Sequence, residues 1–185
     1  KGWKGGVIEI PDWKRKDDFL KLGRPRLFFG ITSGSIDSML VNYTPLKRAR
    51  ARDPHAPYAS RLPDRAAIVY ANKIRELHRG AMIVLGGIEV SLRRFAHYDY
   101  WDDVVRRSIL LDTRADILVY GPGEIQVTEI ARRIDAVESL DGIPGTCVVA
   151  RDLPPDAEVL PQFEDVPADK AKFCEEQRRF SNRRL

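Results

Sequence analysis

Cysteine is nearly missing from this 185-residue chain: there are two, Cys147 and Cys174. No Cys-x-x-Cys pair exists, so neither a disulfide framework nor a self-contained zinc or iron–sulfur site can be read from them. Two free thiols in a reducing cytoplasm are the expectation. Histidine is scarce too, with three in all, and His97 has no Cys or His beside it, which leaves a weak case for a metal ligand. Long apolar runs are absent. The longest, residues 81–85, stops at Gly86-Gly87 and falls far short of the roughly 20 residues that span a bilayer, so no membrane partner is expected. The amino terminus is charged and has no apolar segment of the signal-peptide kind. There is no dinucleotide Gly-x-Gly-x-x-Gly, because Gly121-Pro122-Gly123 is followed by Gln126.

What remains is an ordinary globular composition, 43% hydrophobic and 31% charged, enough for one domain with a real core. The net charge of +4 permits an anionic partner without requiring one. Apolar runs at residues 7–10, 27–31, 82–85, 116–120 and 146–150 read as strands. Helices are expected at 14–22, 35–41, from Pro63-Asp64 onward, at 102–111 and after Glu124. In the third, Ala67, Tyr70, Ala71, Ile74, Leu77 and His78 share one face, although His78 also reads as a surface residue. In the fourth, Val104, Val105, Ile109 and Leu110 would be buried, and in the last Val127, Ile130, Ala131 and Ile134. Strand–helix alternation over residues 1–150 predicts a Rossmann-like α/β domain, a parallel sheet with helices on both faces. Prolines at 154, 155, 161 and 167 mark residues 151–185 as an extended arm or linker ending in a charged helix.

The right-handed crossover rule places the turns after Ile10, Ile31, Leu85 and Tyr120 along one sheet edge. Gly86-Gly87 would let a ligand approach the backbone, or would simply form a tight strand exit. Gly121-Pro122-Gly123-Glu124 would hold an anion at a helix start, or would be a turn with a favourable acidic first residue. Between them lies a dense polar and aromatic stretch: Glu89, Ser91, Arg93, Arg94, His97, Tyr98, Asp99, Tyr100, Trp101 and Asp102. Its arginines could bind phosphate or carboxylate, or pair with the nearby acids. His97 reads as a structural histidine bonded to Asp99 or Asp102 more readily than as an acid–base group. The basic run 47–52, KRARAR, with the aromatics 98–101, raises RNA contact as an alternative, and a purely structural docking module that binds nothing small is another.

Three strings carry a family resemblance. GGIEVSLRRFAHYDYWDDVVRRSILLDTRADILVYGPGE, KDDFLKLGRPRLFFGITSGSIDSM and LPDRAAIVY resemble the YgiQ-type radical SAM proteins. The LGGIEVS and DILVYGPGE turns resemble those of cobalamin-binding-type Rossmann domains. The resemblance runs through nearly the whole chain to about Ala150. It implies an amino-terminal accessory domain whose partner is a radical SAM barrel of the same polypeptide. That barrel would bring a [4Fe-4S] cluster on a Cys-x-x-x-Cys-x-x-Cys motif, with S-adenosylmethionine. The motif is not in these 185 residues, so neither cysteine is carried over as a ligand and no catalytic residue is assigned. The family has a further strand and helix before the segment matching Val7, so the domain is expected to lack its first strand and helix. Cobalamin is a candidate cofactor, although the Asp-x-His-x-x-Gly loop that ligates cobalt in such domains is absent. The implied ligand or substrate shelf comprises Gly86, Gly87, Glu89, Ser91, Gly121, Gly123 and Glu124 for a cofactor, with Arg93, Arg94, His97, Tyr98 and Tyr100 for substrate or docking.

Overall fold

A computed structural model describes residues 2–50, 53 and 57–182. Arg52 and His55 of the basic loop lie outside the described residues. The chain runs through α1 (Asp17–Leu20), β1 (Phe29–Ile31), α2 (Ser38–Asn42), α3 (Ala66–Leu77), β2 (Ile83–Leu85), α4 (Ile88–Leu92), β3 (His97–Asp99), β4 (Val104–Arg106), α5 (Ile109–Thr113), β5 (Ile117–Val119), α6 (Glu124–Asp135), β6 (Thr146–Cys147) and α7 (Lys170–Asn182).

The main sheet has the order β1-β2-β5-β6, with β1, β2 and β5 parallel and β6 antiparallel to β5. Every residue of β2 and β5 is buried. Interior parallel strands are covered on both faces, which is why they read as unbroken apolar runs. One face packs against α3 and α5 through Ala67, Tyr70, Ala71, Ile74, Ile109 and Leu110; the other packs Ile130 and Ile134 of α6 on Val84, Ile117 and Val119. The Rossmann-like fold with helices on both faces is therefore what the chain forms.

Local chemistry corrects several expectations. Residues 7–10 form no strand: Val7 is fully in solvent, and β1 is the outermost strand on that side. Residues 102–111 are not one helix. Asp99 accepts the Trp101 N–H in an Asx turn, Asp103 takes a left-handed φ of 55°, and Val104-Val105 return as a strand paired with β3. Val104 is consequently exposed, and only Ile109 and Leu110 enter the core. Val127 is exposed on α6. His78 is buried: its ring lies 4.8 Å from that of Phe29, and Nε2 meets the Phe19 carbonyl at 3.2 Å. The last helix is docked as well. Glu176 accepts the Ala96 N–H at 3.2 Å, and the Gln177 amide donates to the Ala96 carbonyl at 3.0 Å. Among the described residues no helix is long and apolar enough to cross a membrane.

Candidate functional site

Parallel strands put their carboxyl ends on one edge, and three turns meet there: Thr32-Ser33-Gly34 after β1, Gly86-Gly87 after β2, and Gly121-Pro122-Gly123 after β5. They are fastened to one another. Gly87 has φ 87°, and a Cβ on it would lie 2.3 Å from Thr32 Oγ1 and 3.3 Å from the Gly34 carbonyl, so glycine is required for the turns to approach. Ser91 Oγ donates to the Gly87 carbonyl at 2.8 Å and accepts the Gly121 N–H at 3.3 Å, bridging the second turn to the third. A Cβ on Gly123 would press on Val119 at 3.1 Å, whereas Gly121, at φ 69°, faces open space. Glu124 is exposed and opens α6.

Glu89 lies beneath this shelf rather than on it. It is fully buried, and its carboxylate accepts the Ser38 N–H at 2.9 Å and the Ala67 N–H at 3.0 Å. A buried carboxylate needs such partners, and two helix starts supply them with favourable dipoles. Ser38 Oγ accepts the Ala66 N–H at 3.0 Å. The cap of α3 thus comes from remote side chains, because Arg65 at its N-cap makes no side-chain cap bond.

The arginines are largely committed inside the protein. Arg93 is bonded to Asp37 and to the Glu89 carbonyl. Arg94 bonds the Ser91 carbonyl, with its guanidinium 4.5 Å from the Tyr120 ring. Arg106 and Arg65 both clamp Asp99 and Asp102, and Arg107 pairs with Asp112. Burial pushes the Asp99 carboxyl up, but hydrogen bonds from Arg106 and Arg65 outweigh it and hold the group at about 2. His97 is half-buried with Nδ1 at 3.2 Å from the Phe95 carbonyl; burial lowers its pKa against that bond. Its ring nitrogen therefore meets a backbone carbonyl rather than the expected Asp99 or Asp102. Tyr98 donates to Asp103 at 2.5 Å, and Tyr100 donates to the Pro45 carbonyl at 2.9 Å.

Among the described residues of the basic loop, Lys47 is engaged by the aromatic run. Lys47 Nζ donates to the Trp101 carbonyl at 3.1 Å and sits 4.7 Å from the Tyr100 ring, while Trp101 packs 4.9 Å from Tyr43. Arg50 pairs with Asp53. A cleft of about 400 Å³ lined by Trp13, Tyr43, Leu62 and Val69 lies nearby, but its polar groups Asn42, Tyr43 and Asp64 already bond one another. The turn after Ile31, which holds Thr32, was legible as part of the shelf, whereas sequence reasoning missed Asp37 and Ser38 as parts of its frame. The signal was there for Asp37, an N-cap residue two before Met39, whose N–H it accepts.

Cluster chemistry does not fit these residues. Cys147 is half-buried in β6 and Cys174 exposed on α7, and the described residues contain no group of three potential metal ligands.

A family model described as "Radical SAM N-terminal" matches residues 1–184. A "UPF0313 protein" of Clostridium perfringens is 50% identical over 184 residues, covering 94% of this chain and 28% of the relative. A Geobacter sulfurreducens relative of the same description is 48% identical, covering 94% and 30%. One from Pseudomonas aeruginosa is 49% identical over 158 residues, covering 83% and 21%. No solved structure matches. The chain spans under a third of the length of these curated relatives. With turns, strings and family model in agreement, the chain belongs to the radical SAM N-terminal family, as its resemblance to the YgiQ-type proteins implies.

Proposed function

We propose that this domain is the accessory, ligand-presenting part of a radical SAM polypeptide. Its shelf would hold a substrate or cofactor beside a barrel that carries the [4Fe-4S] cluster and S-adenosylmethionine. The observation that carries the reading is the fastening of three glycine-bearing turns at one sheet edge by Thr32, Gly87, Ser91 and Gly121. A surface held that tightly costs little to order when a ligand arrives. In this reading Gly86, Gly87, Ser91, Gly121, Gly123 and Glu124 line the shelf, and Glu89 fixes the helices under it. Arg93, Arg94, His97, Tyr98 and Tyr100 form its border. Because β1 and β2 pair directly, the further strand that the family resemblance implies would join at the outer edge of β1 rather than inside the sheet.

Cobalamin is the weaker occupant. The space a Cβ would take on Gly87 is filled by Thr32, and His97 and His78 already meet backbone carbonyls.

The test uses the full-length polypeptide, purified anaerobically with its cluster reconstituted. Gly121→Asn tolerates the left-handed turn and puts a side chain into the open space above the shelf. Basal 5′-deoxyadenosine formation should be unchanged, while its stimulation by a small-molecule cell extract should fall about tenfold, the scale of one lost contact of roughly 1.4 kcal/mol. Equal stimulation of both proteins refutes the shelf as a ligand site. Cobalamin retained through a desalting column would make the corrin the occupant.

A further inference from the structure

We infer that helices α2 and α4 form the seat on which the rest of the same polypeptide docks, so that the shelf is closed against it. The inference rests on the reading just given. Both short helices turn apolar side chains to solvent beside the shelf. Ile36 and Leu40 are each 53% exposed on and before α2, and Ile88 and Leu92 are 42% and 61% exposed on α4. The charged groups between them are satisfied internally. Asp37 is taken by Arg93 and the Met39 N–H, and Glu89 by Ser38 and Ala67. An apolar face whose nearby charges are already paired suits a protein surface, not a phosphate backbone. The same two bridges, Glu89 to Ser38 and Arg93 to Asp37, fix the helices to each other, so the face is preformed.

Length and position identify the occupant. This chain covers only 28% to 32% of several relatives, so the polypeptide itself has ample mass to supply a partner. The last helix of the described chain is also anchored near α4. Gln177 holds Ala96, four residues beyond the end of α4, and α7 ends at Asn182. Five helical residues carry the chain roughly 8 Å, so whatever follows α7 emerges close to the 88–96 segment. A tether that short gives a high effective concentration, and a modest apolar seat then suffices.

The test is alkylation of single cysteines in the full-length polypeptide, resolved peptide by peptide so that native thiols do not interfere. Leu92→Cys and Leu40→Cys are compared with Val137→Cys, a position 92% exposed beyond the end of α6. The expected result is labelling at the first two sites at least tenfold slower than at the third, independent of protein concentration, in variants that keep the wild-type melting temperature. Labelling rates within twofold of one another overturn the inference. Protection that vanishes on dilution overturns it as well, since the occupant is then a second copy. Cluster absorbance and basal S-adenosylmethionine cleavage in the same samples separate the two readings. Free labelling with an intact cluster removes the docking seat alone, whereas a polypeptide that never assembles a cluster removes the radical SAM reading beneath it.

Discussion

Two buried carboxylates show how much of this site is internal architecture. Asp99 is held at about 2, against 3.8 when free, by Arg106 and Arg65. A depressed carboxylate stabilises the fold above its unfolded value and loses that contribution as pH falls through its folded one. Asp99→Asn is therefore expected to cost about 2 kcal/mol at pH 7 and to flatten the fall in stability between about pH 4 and pH 2. Urea unfolding of both proteins across that range measures it, and parallel curves would refute the clamp. Glu89 gives a second contrast. A glutamine there keeps one acceptor and turns an amide N–H₂ toward the other backbone donor, so Glu89→Gln should cost about 2 kcal/mol. Glu124→Gln at the exposed start of α6 should stay within about 0.5 kcal/mol. Equal losses at the two positions would mean that Glu89 does not hold α2 and α3.

The elements differ in how plainly they were written. Long elements with one dominant period were legible: α3, whose buried Ala67, Tyr70, Ala71 and Ile74 follow helical spacing, and β2 and β5, which are wholly apolar. The fastening of the three turns was half legible, since the glycines show in the sequence while the partner that demands Gly87, the Thr32 hydroxyl, is 55 residues away. The β3–β4 hairpin was misread because Val104, Val105, Ile109 and Leu110 fit helical spacing; the Asx turn at Asp99 decides the matter, and it is a two-residue signal. His78 was misplaced for a similar reason, since its partner Phe19 is reached only through the tertiary fold. One element also carries an internal conflict. α6 ends in a Schellman arrangement, with the Val137 N–H bonded to the Ile134 carbonyl and the Glu138 N–H to that of Arg133, which forces Val137 to φ 58°. A β-branched residue pays roughly 1 kcal/mol there and, being exposed, returns no packing. Val137→Gly should raise the melting temperature by about 2–4 °C for a chain of this size; a calorimetric scan showing no rise would refute the strain.

At the scale of the molecule, α7 ties the end of the described chain to its middle through Glu176 and Gln177 on Ala96. Burial pushes the Glu176 carboxyl up, the Ala96 N–H pulls it down, and its second oxygen has no partner. An acid raised above its unfolded value favours the protonated folded form, so docking of α7 should weaken as pH rises above the ordinary glutamate range near 4.5. Glu176→Gln should remove that trend. Hydrogen-exchange protection of residues 170–182 at pH 5 and pH 7 reads it directly, and protection that falls equally in both proteins refutes the role of Glu176. The main sheet has a different asymmetry. On one side it ends in β6, two residues long and followed by prolines 154 and 155, which offers little for another strand to grip. On the other, among the described residues, it ends in β1, with Gly30 exposed at its centre and the Phe28 ring 3.8 Å from where its Cβ would be. A sheet with one open border and one blunt border extends on one side only. Growth of this sheet therefore has one direction: a further strand joins beside β1 and not beside β6.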